Sequence, residues 1–368
     1  MAGRTTGTVT VETQAGDGSF AAALGRIAPL DATAMADAVA LDRRLTKPRG
    51  ALGRLEALGA RLCGIAAECP PPLPTPVAVA VFAGDHGVVA EGVTPWPQDV
   101  TAQMVANFCS GGAAINVLAR QVGARVLVVD VGVAAVLEDM TGLAARKVRM
   151  GTGNLAREPA MTMGEALAAL DVGADIAREL VQAGARCLVT GEMGIGNTTP
   201  AAALIAALTG RTPAEVTGRG TGIDDDALAV KVTVIEQALA RHAGVMAAGP
   251  LPALAALGGL EIAALVGFIT GGAAARVPVV VDGVIADAAL LVAAALAPDV
   301  VACCVAGHRS VEPGAAAVLD HLGLDPLLDL GMRLGEGSGA CLAVPIVEAA
   351  ARILREMATF DGAGVSEK

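Results

Sequence analysis

The residue best suited to chemistry in this sequence is a glutamate in a glycine-rich segment. Glu336 lies between two glycines in GMRLGEGSGA (residues 331–340), and an apolar, helix-like stretch follows directly. Glycine loses more conformational entropy on folding than other residues, so such a loop indicates close approach of backbone to a ligand. The apolar Met332 and Leu334 nearby would raise the pKa of the carboxyl group toward that of a useful acid or base. An ordinary solvated glutamate is the alternative.

Two further glycine-rich segments have the composition of anion-binding turns. In GEMGIGNTTP (191–200) a strand-like run passes into a helix-like run, and Thr198 or Thr199 can cap that helix. Free N–H groups at a helix N-terminus attract anions, although an ordinary tight turn has the same pattern. The segment lacks the Gly-Lys-Ser/Thr ending of a Walker A loop. GRGTGIDDDALAVK (218–231) is likewise a glycine-rich segment that leads into a helix-like run. Its Lys231 could be a phosphate ligand only if it lies beside the turn in residues 191–200.

Two other patterns point to chemistry that the context does not favour. GTGNLA (151–156) fits the dinucleotide-binding fingerprint, but it follows the charged RKVRM, and Glu158-Pro159 interrupts any helix behind it. We therefore do not expect a nicotinamide-dependent oxidoreductase. The four histidines form neither an HExxH motif nor a Cys/His cluster, and the carboxylates at predicted strand ends have no metal-ligand spacing. No metal site is predicted.

The composition makes nucleic acid an unlikely partner and leaves anionic small molecules possible, because a local pocket can oppose the overall charge. Of 368 residues, 54% are hydrophobic and 17% are charged, and the net charge of −11 disfavours nucleic acid as a partner. The seven cysteines form no C-x-x-C pair, which indicates free thiols in a reducing cytoplasm. The first 20 residues contain no continuous apolar segment, and no suitable run reaches the ~20 residues that span a bilayer. We expect a soluble, cytoplasmic protein without membrane contact.

The order of strand-like and helix-like segments predicts a parallel sheet. Helical periodicity runs from about residue 20 to residue 68, and CPPPLPTP (69–76) interrupts it, because consecutive prolines fix φ and remove donors. Short β-branched runs then alternate with alanine-rich helical stretches, which is typical of an α/β fold. The predicted strands are residues 76–84, 124–132, 185–193, 277–283 and 300–308. Glycines and polar residues follow all five, so we expect five strand ends to meet at one ligand-binding edge.

The motifs together resemble those of one family, from about residue 25 to the C-terminus. They include LTKPRGALGRLE (45–56), VFAGDHGV (81–88), GEMGIGNTT (191–199), GRGTGIDDDAL (218–228), GHRSVEPG (307–314) and LDLGMRLGEGSGA (328–340). The sequence is similar to the nicotinate-nucleotide:dimethylbenzimidazole phosphoribosyltransferases. The resemblance implies transfer of the phosphoribosyl group of nicotinate mononucleotide to 5,6-dimethylbenzimidazole. The products, formed during cobalamin assembly, would be α-ribazole 5′-phosphate and nicotinate.

The resemblance also implies an architecture. It predicts a homodimer whose subunit has a large, doubly wound, mostly parallel domain of the three-layer, Rossmann-like type and a small helical domain drawn from both chain ends. On this division residues 1–20 are a flexible tail, residues 21–75 with 338–368 form the small domain, and residues 76–337 form the catalytic domain. The implied partners are the two substrates, and no cofactor is implied.

Roles for individual residues follow from the same resemblance. Glu336 matches the catalytic base of the family, and Glu192 matches a second active-site carboxylate. The nucleotide and its 5′-phosphate would bind Gly194, Ile195, Gly196, Asn197, Thr198, Gly220, Lys231, Asp282 and Ser310. The benzimidazole pocket would contain Thr94, Trp96, Pro97, Gln103, Met332 and Leu334.

Two departures from the family pattern leave the acceptor base open. The chain has Thr94-Pro95-Trp96-Pro97 where the family commonly has serine, a small residue, an aromatic residue and proline, and Ala51 where KPxGSLG has serine. The same reaction with adenine or a phenol as acceptor is one alternative. A ribotide-binding protein without catalysis is another, although such a protein would be expected to lose the two glutamates, and this chain retains both.

Overall fold

A parallel sheet of six strands lies at the centre of the computed structural model, which describes residues 18–137 and 139–366. The strands are β1 (Val77–Gly84), β2 (Arg125–Gly132), β3 (Leu143–Ala145), β4 (Cys187–Met193), β5 (Val279–Val281) and β6 (Cys304–Ala306). Across the sheet they follow the order β3-β2-β1-β4-β5-β6, and every neighbouring pair is parallel. This is the strand order of a doubly wound α/β sheet, so the predicted fold class is confirmed.

Continuous apolar runs form the central strands because helices cover the sheet. All eight residues of β1 and all three of β5 are buried. Two details of the strand prediction are wrong. β3 is missing from it, because this edge strand has only three residues and all are partly or fully exposed. The run over 300–308 begins within a 3₁₀ helix (Pro298–Cys303), whose proline favours a helical start, and only Cys304–Ala306 pairs with the sheet.

Helices account for most of the remaining described chain. They are α1 (Ser19–Leu24), α2 (Ala32–Asp42), α3 (Arg54–Ala66), α4 (Asp99–Cys109), α5 (Ala114–Gln121), α6 (Met163–Gln182), α7 (Thr198–Thr209), α8 (Pro213–Val216), α9 (Asp225–Met246), α10 (Pro250–Leu257), α11 (Leu260–Ala274), α12 (Val284–Leu296), α13 (Pro313–Leu322), α14 (Ser338–Glu356) and α15 (Phe360–Ala363). α11 is buried along almost its whole length and packs against β1, β2 and β4. Within the described ranges, no helix combines the length and apolar character needed to cross a membrane.

Helices from the two ends of the chain pack together. α2 and α14 both contact α3, around a small apolar cluster that comprises Ala34, Ala38, Leu45, Ala60, Cys63 and Leu354. An isolated backbone bridge between Leu45 and Thr359 adds a second link between the two ends. These elements belong to the predicted small helical domain, whose separation from the rest of the protein stays a prediction.

The first helix departs from the predicted division. The predicted flexible tail over residues 1–20 is wrong at its C-terminal end, because Ser19 and Phe20 begin α1. Residues 1–17 lie outside the described residues. The Phe20 N–H donates to Asp171 Oδ1 (2.8 Å), and the Ser19 hydroxyl donates to Asp175 Oδ1 (2.6 Å). Both carboxylates lie on α6. α1 therefore packs mainly on α6 and α11, which belong to the α/β layers.

Glycines allow α6 and α11 to cross in direct backbone contact. A Cβ atom added at Gly173 would lie 1.8 Å from the carbonyl oxygen of Ala264, and one at Gly267 would lie 1.9 Å from that of Leu170. Any side chain larger than hydrogen is therefore excluded at both positions. The crossing sets the position of α11, whose Glu261 lies beside the end of β1.

We predict that Gly267→Ala destabilises the protein even though alanine favours helices. Overpacking should lower the free energy of unfolding by about 1–3 kcal/mol or more, which exceeds the ~1 kcal/mol that alanine adds to helix propensity. Gly244→Ala in α9 is the matched control, because a Cβ there meets no atom within 4 Å and should stabilise the protein. Urea unfolding of both variants checks this. A Gly267→Ala protein as stable as wild type would contradict the close crossing.

Candidate active site

The carboxyl ends of β4, β5 and β6 open into a cavity of about 420 Å³. Glu192 belongs to the end of β4, Asp282 follows β5, and Ser310 follows β6, and all three line the cavity. The predicted meeting of five strand ends is therefore wrong for two of them. Asp85 after β1 and Asp130 in β2 do not line the cavity, because their carboxylates hold neighbouring loops: they accept hydrogen bonds from the backbone N–H groups of residues 134 and 133.

One end of the cavity has the properties of an anion site. The turn Gly194–Asn197 leads into α7, and Gly196 has a φ of +87°, which favours glycine. The Lys231 ammonium, only 1% exposed, donates to Thr198 Oγ1 (2.7 Å) and to the Gly218 carbonyl oxygen (3.1 Å). Burial lowers the pKa of Lys231 to about 8, against the opposing effect of the Glu312 carboxylate. The two predicted glycine-rich segments thus meet here, as the phosphate assignment of Lys231 requires.

The capping prediction for α7 is wrong. Asn197 precedes the helix and Thr198 is its first residue, so neither threonine caps it. The Thr198 hydroxyl accepts from Lys231 instead, and the Thr199 side chain is buried. In the first turn of α7, Pro200 has no N–H group, and the Thr199 and Ala201 N–H groups donate to the carbonyl oxygens of Gly196 (3.0 Å) and Asn197 (3.1 Å), which leaves the Thr198 N–H for a ligand. This end of the cavity therefore combines a helix dipole with a buried cation.

Glu336 lies at the other end of the cavity in a conformation unusual for its residue type. Its φ is +64°, its side chain is 7% exposed, and its Oε2 accepts a hydrogen bond from Ile115 N (3.1 Å) in the first turn of α5. Burial raises the pKa of Glu336, and the Ile115 N–H opposes that rise. The predicted direction of the pKa shift is confirmed. Of the two apolar neighbours expected to cause it, Leu334 is 56% exposed, and the loop also packs on β4.

Glu192 is a second buried carboxyl group beside this loop. Its Oε2 accepts a hydrogen bond from the Asn197 side chain, which links it to the anion site. Burial, reinforced by the nearby Asp282 and Glu261, raises the pKa of Glu192 to about 8 against the effect of Asn197. A Cβ atom at Gly335 would lie 2.3 Å from Glu192 Oε1, so only glycine leaves room for this carboxyl group.

Apolar side chains form the mouth of the cavity between the two ends. Thr94, Trp96 and Leu334 line it as predicted, and Trp96 is 48% exposed. The remaining predicted base-pocket residues do not line the cavity: these are Pro97, Gln103 and Met332. Pro97 and Gln103 are exposed, and Met332 uses its carbonyl oxygen to accept from Val311 N (3.2 Å). Residues not predicted for this wall are Val93, Val100 and Met104.

Several polar residues of the cavity are also absent from the sequence prediction. They are Arg219, Thr221, His308, Glu312 and Arg333. All five lie inside motifs that were recognised in the sequence, and their position in those motifs was the one signal that could have identified them. The motifs do not show which of their side chains point into the cavity. Arg333 Nη1 donates to the Gly220 carbonyl oxygen (2.5 Å) and so connects the glutamate loop to the anion site. In the described ranges, no three His, Cys, Asp or Glu side chains are grouped to hold a metal ion.

Comparison with known proteins assigns the chain to a family. A family model described as phosphoribosyltransferase matches residues 27–365. The chain belongs to this phosphoribosyltransferase family. The family resemblance predicted from the sequence motifs is thereby confirmed.

Relatives match almost the whole chain. A protein of Salinispora tropica named nicotinate-nucleotide–dimethylbenzimidazole phosphoribosyltransferase is 58% identical over 356 residues, covering 93% of this chain and 98% of the relative. A Chloroflexus aurantiacus protein of the same name is 56% identical over 345 residues, covering 94% and 98%. The crystal structure of the enzyme of that name from Thermus thermophilus has a TM-score of 0.87 at 48% identity, covering 92% of this chain and 100% of that one.

The pKa of Glu192 leads to a prediction for stability. Between its ordinary value of 4.5 and its folded value of about 8, the native state keeps a proton that the unfolded state has released. Stability therefore falls as pH rises through this window. We expect Glu192→Gln to increase the free energy of unfolding at pH 8 by on the order of 1–3 kcal/mol, with no gain below about pH 4.5.

Urea unfolding at the two pH values checks this expectation. Glu236→Gln is the control, because Glu236 is exposed on α9 and does not line the cavity. A gain for Glu192→Gln that is the same at both pH values would contradict a proton held by the buried Glu192.

Proposed function

We propose that this protein transfers the phosphoribosyl group of nicotinate mononucleotide to 5,6-dimethylbenzimidazole, giving α-ribazole 5′-phosphate and nicotinate. The observation that carries the proposal is a single cavity with a buried ammonium group at one end and two buried carboxyl groups at the other. The names of relatives that are 52–58% identical along almost the whole chain support it.

The 5′-phosphate binds at the anion site in this proposal. Residues 194–198 offer the N-terminal end of α7, and Lys231 and Gly220 lie on the opposite side of that turn. Charge-assisted hydrogen bonds from a buried ammonium are stronger than those between neutral groups, and the helix dipole adds to them. The net charge of −11 does not prevent binding of an anion, because the cations Lys231, Arg219 and Arg333 line the cavity, beside the Glu312 carboxylate that accepts from Gly220 N (2.9 Å).

The transfer breaks one bond at C1′ of the ribose and forms another. A nitrogen lone pair of the acceptor attacks C1′, while the pair of the C1′–N bond returns to the pyridinium ring and leaves neutral ring nitrogen in nicotinate. Attack from the opposite face converts the β linkage into an α linkage. The second ring nitrogen of the benzimidazole then loses its proton, and Glu336 accepts it. General bases typically contribute ~10²–10⁴ in rate, and holding two rings on opposite faces of one sugar supplies the rest.

The flat acceptor lies between the glutamate loop and the apolar mouth. Trp96 and Leu334 offer apolar surface to a planar heterocycle, and Val100 and Met104 extend that wall. Gly335 and Gly337 carry no side chains, so the loop packs closely on Glu192 and β4, and this packing places Glu336 at the cavity wall. We further propose that the enzyme acts as a homodimer in the cytoplasm; seven unpaired cysteines are consistent with that reducing compartment.

Product analysis tests the proposed reaction directly. Purified protein is mixed with nicotinate mononucleotide and 5,6-dimethylbenzimidazole, and products are separated and identified by mass and by the stereochemistry at C1′. We expect equal amounts of α-ribazole 5′-phosphate and nicotinate. Binding of the nucleotide without product, in the presence of adenine and phenol as further acceptors, would overturn the proposal in favour of a ribotide-binding protein.

We predict that Lys231→Met weakens nucleotide binding. Loss of a charged hydrogen-bond donor worth about 1.5–3 kcal/mol should raise the KM for nicotinate mononucleotide roughly 10–100-fold, while the KM for the acceptor stays unchanged. In wild type, nucleotide affinity should fall as the pH rises above about 8, because Lys231 then loses its proton. The variant should lack this pH dependence. An unchanged nucleotide KM would place the phosphate elsewhere.

A further inference from the structure

Each carboxylate oxygen of Asp282 accepts a hydrogen bond from the protein backbone, although the residue lines the cavity. Its Oδ1 accepts a hydrogen bond from Ala340 N (2.9 Å), and its Oδ2 accepts one from Gly337 N (3.2 Å). The side chain is 2% exposed. Both oxygens are therefore directed at the first turn of α14, which argues against the ribotide-binding role that the sequence assigns to Asp282.

The start of α14 requires such a partner from another part of the chain. Gly337 is the N-cap residue of this helix and has no side chain that could accept from the helix N–H groups. Asp282, which comes directly after β5, supplies the missing carboxylate, as an N-cap side chain ordinarily does. The helix has 19 residues, so its N-terminal end carries the full helix dipole.

The same hydrogen bonds restrain the residue that precedes the helix. Glu336 has a φ of +64°, a region that glutamate rarely occupies and that the surroundings must enforce. A Cβ atom at Gly337 would lie 2.8 Å from the Thr190 carbonyl oxygen, so the loop is also pressed onto β4. Asp282 thus holds one side of the loop while β4 holds the other.

His308 closes the remaining side of Asp282. Its Nε2 lies 3.6 Å from Asp282 Oδ1, and its ring occupies space next to Gly339, where an added Cβ would lie 2.0 Å from the imidazole. Burial raises the pKa of Asp282, and the backbone N–H groups at the start of α14 oppose that rise, as does the imidazole of His308 when it is protonated. The hydrogen bonds of the Asp282 carboxylate are therefore with the start of α14, and its charged neighbour on the other side is His308.

We propose that Asp282 is a positioning residue that holds Glu336 in its catalytic orientation through the start of α14, and does not bind the nucleotide. This inference rests on the proposed function. It predicts that the loss of Asp282 acts on the rate only while Glu336 is present.

Asp282→Asn is the informative variant because it keeps the size of the side chain. An amide has one acceptor oxygen, so its NH₂ group would face either Gly337 N–H or Ala340 N–H, donor against donor. A displacement of the base by about 1 Å can reduce the rate about 100-fold. We expect kcat to fall by about that factor, with the KM for nicotinate mononucleotide within about twofold of wild type.

A double-mutant cycle with Glu336→Gln separates the two roles. If Asp282 acts through Glu336, the double variant turns over as fast as Glu336→Gln alone, and nucleotide affinity measured by calorimetry is unchanged throughout. If Asp282 binds the nucleotide, the two losses multiply and affinity falls in both backgrounds, which would overturn the inference. Asp130→Asn in β2 is the matched control, since Asp130 is equally buried and accepts a hydrogen bond from Val133 N (2.9 Å) but does not line the cavity, and kcat should be unaffected.

Wild-type turnover in the same assay distinguishes failure of this inference from failure of the proposed function. If wild type forms α-ribazole 5′-phosphate and Asp282→Asn retains full kcat, the positioning role alone is refuted. If wild type forms no product with any acceptor, the proposed function is refuted and the inference falls with it. Circular dichroism of each variant, unchanged from wild type, ensures that a lost rate reflects the site.

Discussion

The contact between the carboxylate of Asp282 and the first turn of α14 is the constraint on which the site depends. Through it the end of β5 holds α14, and the backbone N–H of Asp282 donates to Thr190 Oγ1 on β4 (3.0 Å). The glutamate loop is therefore tied to two adjacent strands of the sheet. Because β4 also leads into the anion-binding turn, one rigid strand sets the distance between the two ends of the cavity. A flexible loop could not hold that geometry.

The cavity has a cation at one end and carboxyl groups at the other. This arrangement suits a reaction that holds a phosphate at the first end while a proton is transferred at the second. Burial shifts the pKa values in opposite directions, downward for Lys231 and upward for Glu192 and Glu336, since it disfavours the charged form of each group. With a pKa of about 8, Glu192 is mostly protonated at neutral pH. It then places no second negative charge beside Glu336 or the phosphate. Two carboxyl groups in one site can thus have different roles.

The sequence predicts the fold well because the signals are local and strong. Apolar β-branched runs predicted β1, β2 and β4 within a few residues, whereas the three-residue β3 lacks any such signal. Glu336, Glu192 and Lys231 were identified from motifs, and the structure brings them into one cavity. The motifs did not predict the directions of the side chains. Gln103 and Met332 lie in the right segments but do not line the cavity, while Asp282 lines it with both carboxylate oxygens hydrogen-bonded to the start of α14. Such facts depend on tertiary contacts that no spacing reveals.

The central claim is that the buried Glu336 accepts the proton that the acceptor base loses. The most direct test compares wild type with Glu336→Gln on two acceptors, 5,6-dimethylbenzimidazole and its N1-methyl derivative, which has no ring N–H to lose. For the first acceptor we predict that the variant is slower by ~10²–10⁴, and for the second that the two proteins react at about the same rate. An equal loss of rate with both acceptors would contradict the role of Glu336 as the base.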